Sequence, residues 1–165
     1  MNLTHFTLPS KKDNSAEACS KGQLGFKAAT GDAVVNGVID VRLSKSINSY
    51  VKVGDVRNEA LSLIPKYPNA INDYTFTILV LPKSTSTRIL NGAQAWFPGI
   101  MSWYNDLYGS YPRYLLHELG HNLGHGHSGK YHKGKLNDQA DPTCTMGVSS
   151  LHSVALTFLP LQLSG

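Results

Sequence analysis

The segment His117 to His127, HELGHNLGHGH, constrains this chain more than any other, because it asks for a helix, a sharp reversal and three imidazoles converging after it. Pro112 precedes it at a point where a first helical turn tolerates a residue without an N–H, and Ser110 stands nearby as a capping residue. The pattern predicts a helix from Pro112 to Leu123. At roughly 100° per residue, Leu115, Leu119 and Leu123 share one stripe with Leu116 beside it, and His117 and His121 fall nearly opposite. The leucines anchor the helix and leave both imidazoles facing a cleft.

Two His at i and i+4 project side by side, so both can reach one Zn²⁺ at about 2.0 to 2.1 Å. Glu118 is rotated to the flank of the pair, where its carboxylate reaches a water on the metal without being a ligand; that is the general-base position of HExxH hydrolases. Gly124 suits a left-handed residue that ends the helix and turns the chain back, and His127 follows three residues later as third imidazole. Three protein ligands leave the fourth tetrahedral position to water, as in catalytic zinc sites. His125 is the rival third ligand, though it comes soon after the turn, and Asp138 and Asp141 offer downstream carboxylates. No Glu follows Glu118, so a downstream Glu ligand is not available. His5, His132 and His152 read as ordinary surface residues.

The pattern HExxHxxGxxH is met at every fixed position, and Met146 lies downstream in DPTCTMG. On these residues the chain resembles the metzincin zinc peptidases, and HELGHNLG with the D-P-x-C-x-M-G segment is most similar to the gametolysin family of algal cell-wall lytic enzymes. The resemblance spans about Trp103 to Gly147. It implies an α+β fold with a mixed twisted sheet, an active-site helix and a Met-turn. It implies zinc ligands His117, His121 and His127, the catalytic base Glu118, and Met146 as the floor beneath the metal. The implied activity is zinc-dependent endopeptidase action on extracellular matrix or cell-wall glycoproteins, outside the cell. A non-catalytic zinc-binding module of the same fold is the alternative, disfavoured because metal binding alone has no need of Glu118.

At 165 residues, 41% of them hydrophobic, the chain is expected to form one catalytic domain over residues 23–165. The polar residues 1–22 read as a flexible arm or precursor remnant. A net charge of +4 does not indicate nucleic acid, and Lys130, Lys133 and Lys135 read as a solvated loop marked by Gly129 and Gly134. No apolar run approaches the roughly 18 residues that span a bilayer, so no membrane partner is expected; the resemblance implies a protein or glycoprotein substrate, and a monomer is expected. MNLTHFTLPSKK carries no export signal, which for an extracellular enzyme suggests a processed or incomplete sequence. Cys19 and Cys144 are the two cysteines and could pair.

Strands are expected over Leu24–Ala29 and Ala33–Leu43, a helix over Asp55–Ile64, and a strand buried on both faces over Tyr74–Leu81. The aromatic stretch Gly92–Tyr104 resembles the antiparallel edge strand that rims the metzincin cleft, with at least half of its aromatics expected in the core. After Gly147 only VSSLHSVALTFLPLQLSG remains, so a truncated C terminus is one reading.

Overall fold

The aliphatic run before Pro82 becomes the middle of a sheet, as its composition requires of a strand covered on both faces. In a computed structural model that describes residues 2–6, 34–35, 38–63 and 76–147, strands β1 (Asn2–Phe6), β2 (Val38–Arg42), β3 (Thr77–Leu81), β4 (Ala93–Ala95) and β5 (Met101–Asn105) form one sheet in the order β2-β1-β3-β5-β4. β3 and β5 are parallel, and the other neighbours are antiparallel. With helices α1 (Val53–Leu63), α2 (Asp106–Gly109) and α3 (Pro112–Asn122), the fold is α+β with a mixed sheet.

All five residues of β3 are buried, and alternation splits them between two cores. Leu79 and Leu81 join Met101 and Trp103 of β5, with Val56 and Ala60 of α1 in the same cluster. Ile78 and Val80 join Tyr104, against which Tyr114 and Leu115 of α3 pack. The sheet thus carries α1 on one face and the α2–α3 pair on the other. β5 runs straight into α2, which delivers the chain to α3.

Two expectations change here. Asn2–Phe6 does not belong to a loose arm: its backbone pairs with β2 along its whole length and with β3 from Thr4 to Phe6. The rest of residues 1–22 lies outside the described residues, as do Leu24–Ala29, Cys19 and the tail after Gly147. The lysine cluster is not an irregular loop but a hairpin of β6 (Lys130–His132) and β7 (Lys135–Asn137). Lys133 and Gly134 at its tip have φ of 48° and 75°, the consecutive positive angles of a two-residue turn that matches strand twist. Among the described residues, no helix is long and apolar enough to cross a membrane.

Candidate metal centre

α3 begins at Pro112 as its sequence predicts, but Ser110 does not cap it. The Ser110 hydroxyl donates to Asp106 O at 3.0 Å, and the residue before Pro112, Tyr111, makes no side-chain cap bond. Leu116 and Leu119 are buried with Phe76 and Leu123 against them, while Leu115 serves the core under the sheet. The helix closes at Gly124, whose φ of 87° reverses the chain, and His125 N–H returns to Gly120 O at 2.9 Å.

That reversal brings His117, His121 and His127 together, with one ring nitrogen from each lying within 4.8 Å of the others. They are close enough to hold a metal ion. His121 Nε2 and His127 Nε2 are 3.1 Å apart, near the roughly 3.3 Å that separates two donors on a tetrahedral zinc. The opposite nitrogens are occupied by backbone: His117 Nδ1–H donates to Thr145 O at 2.7 Å and His121 Nδ1–H to His125 O at 2.9 Å. Each of these bonds fixes a tautomer and leaves an Nε2 lone pair for a cation. Burial, first among the causes, holds the His117 imidazole down to about 4 and lowers His121 too, so proton competition for both is weak at neutral pH. His125 contributes a carbonyl rather than its ring. Asp138 Oδ2 lies 3.7 Å from His127 Nδ1, and Asp141 is spent on Ser128 and Thr143.

Glu118 sits beside the imidazoles at 5% exposure, and burial pushes its carboxyl up to about 7. Its Oε2 is buried with no hydrogen-bond partner. A buried carboxyl oxygen left unpaired is costly unless a water, a substrate or a nearby cation completes it. Met146 is buried in a turn closed by Gly147 N–H to Cys144 O at 3.0 Å, and its Sδ packs on Gly120 so closely that any β-carbon there would overlap it. Gly120 is therefore the position on α3 that lets the Met146 turn approach between the two histidines.

A groove of about 510 Å³ runs past the imidazoles along β4 and Trp96, with the Arg57 guanidinium of α1 over the Trp96 ring, 5.1 Å from its centroid. A second cavity of about 290 Å³ adjoins it, walled by Tyr108, Tyr114 and Arg113. The edge strand is β4, Ala93–Ala95, whereas Met101, Trp103 and Tyr104 of the aromatic stretch are core. Two further residues matter that no sequence pattern marks. Asn122 is buried and donates from Nδ2 to Trp96 O and Met101 O, both at 3.0 Å, tying α3 to the β4–β5 connection. Gln139 reaches over His127, its Nε2 3.3 Å from His127 Nε2. Neither has a periodic or motif signal, since both act across long sequence separations.

Compared with family models, characterised proteins and solved structures, the chain finds no match.

Proposed function

We propose that the chain is a zinc-dependent endopeptidase of the metzincin kind, with the gametolysin family as the best analogy. The observation that carries this reading is a buried Glu118 carboxyl, its Oε2 unpartnered, beside three convergent imidazoles on the floor of an open groove. The donor set fits the ion: three imidazoles, two of them with their far nitrogens tied to backbone carbonyls, are the donors zinc prefers in hydrolytic sites. Bound by His117, His121 and His127, zinc would polarise a scissile carbonyl and lower the pKa of water towards about 7.

The rest is the work of the chain's own residues. β4 leaves its outer backbone groups unpaired by the sheet, a template on which an extended peptide can lie. Glu118 takes a proton as the water oxygen bonds to the carbonyl carbon, then passes it to the peptide nitrogen as the C–N bond breaks, leaving a carboxylic acid and an amine. Glu118 is placed for both transfers, because it lines the groove beside His117 with its Oε2 unpaired by the protein. Matrix or cell-wall glycoproteins are the proposed substrates, in an extracellular setting, on the strength of the resemblance alone.

The test is cleavage of casein or gelatin by the zinc-loaded chain beside Glu118→Ala. The parent should cleave and the variant should bind one zinc yet lose activity by several orders of magnitude. A parent that binds zinc and cleaves nothing would reduce the protein to a metal-binding module.

A further inference from the structure

The two cavities beside the histidines share only four residues, Ala93, His117, Glu118 and Gln139. A peptide attacked by a water that Glu118 deprotonates has its scissile carbonyl at that junction, with residues on either side entering one cavity each. Ala93 offers backbone and a methyl, and His117 and Glu118 are already engaged. Gln139 is the remaining side chain, and its carboxamide is neutral at every working pH and carries two N–H donors.

Its position suits such a donor. Nε2 lies 3.2 Å from His127 Nδ1 and 3.3 Å from His127 Nε2, nearly equal distances that place it against the ring rather than in a directed bond to either nitrogen. Turning it to a better acceptor costs little. The backbone beneath is held: Ala140 N–H bonds Asn137 O at 3.2 Å, and Asp141 accepts from the Thr143 amide and hydroxyl and from the Ser128 hydroxyl. An amide donor on an anchored turn needs little reorganisation when charge develops in front of it.

We propose that Gln139 is a catalytic residue whose Nε2–H donates to the scissile carbonyl oxygen as that oxygen becomes negative. The proposal rests on the peptidase reading above. A bond that strengthens only as charge grows raises kcat and leaves ground-state binding almost unchanged.

The test uses the full zinc-loaded chain and its Gln139→Leu and Gln139→Glu variants. Three quantities are measured: kcat and KM on a fluorogenic peptide, calorimetric affinity for a phosphinic peptide whose tetrahedral anionic phosphorus imitates the addition step, and zinc affinity by chelator competition. Gln139→Leu should lower kcat and phosphinic affinity by about 100-fold each, with KM and zinc affinity within about twofold of the parent. Gln139→Glu should fall at least as far, since a carboxylate cannot donate and repels the oxyanion. The idea is overturned if kcat drops less than about threefold, or if weakened zinc binding accounts for the loss. A parent that cleaves no peptide and binds no phosphinic peptide brings down the peptidase reading and this role together. A parent and a Gln139→Leu variant that behave alike bring down this role only.

Discussion

His125 and His127 are two residues apart and carry the same side chain, yet they do different work. The positive φ of Gly124 turns the chain so that His125 offers its carbonyl to His121 Nδ1, while the ring of His127 comes back to within 3.1 Å of His121 Nε2. His125→Ala keeps the carbonyl and should leave zinc affinity nearly intact. His127→Ala removes a donor and should weaken zinc by more than the roughly 10- to 100-fold of an outer-sphere change, measured by chelator competition. Equal losses in the two variants would remove the basis for His127 as third ligand. Glu118 obeys the same local logic: burial alone raises its carboxyl, and a nearby cation would draw it back towards the carboxylate.

Between elements, the decisive contact is that of α3 with the β4–β5 connection. Asn122 follows His121 directly, so what holds it also holds the histidine-bearing turn of the helix. Its amide serves two carbonyls, of which Met101 O also accepts from Trp96 N–H at 3.0 Å, leaving Trp96 O the more dependent. Asn122→Ala should therefore destabilise the fold by about 1–3 kcal/mol, the loss of two side-chain hydrogen bonds, one buried and one part-buried. Amide exchange at Trp96 and Gly99 should quicken selectively. Exchange that speeds up evenly over the whole sheet would show a general loosening instead. The 130–137 hairpin leaves Tyr131 and Leu136 exposed and projects from the loop between His127 and Gln139.

For the molecule as a whole, the face of the sheet away from the histidines is stitched by Glu59 of α1. Its carboxylate accepts from Ser44 N–H and from the Tyr50 hydroxyl, both at 2.6 Å. The Tyr50 hydroxyl, then the Ser44 amide, hold this carboxyl below the usual range, while burial first and Glu59 next push Tyr50 up to about 12. A depressed folded value means stability fully present above the unfolded value of about 4.3 and lost as pH falls through the folded one. Tyr50 works the other way: its share is present below about 10 and is lost as pH rises towards 12. Urea midpoints between about pH 5 and pH 2 should fall more steeply for the parent than for Glu59→Gln. Parallel slopes would mean that other carboxylates govern acid unfolding.

What the sequence determined by itself is local. Helix α3 from Pro112, the left-handed Gly124, the side-by-side His117 and His121 and the doubly buried β3 all follow from periodicity, φ preference and i,i+4 spacing, which act within a few residues. Tertiary structure alone decided the rest. The first residues became a strand because β2 and β3 each presented an edge to them, and their own composition does not reveal that. Ser110 lost the cap because its hydroxyl donates to Asp106 O in α2 instead. The rim went to Ala93–Ala95 because Met101, Trp103 and Tyr104 bury more apolar surface inside the fold than at its edge. Asn122 and Gln139 gained their places through contacts with no period in the chain, since hydrogen bonds across 12 to 26 residues depend on where the sheet and helix meet.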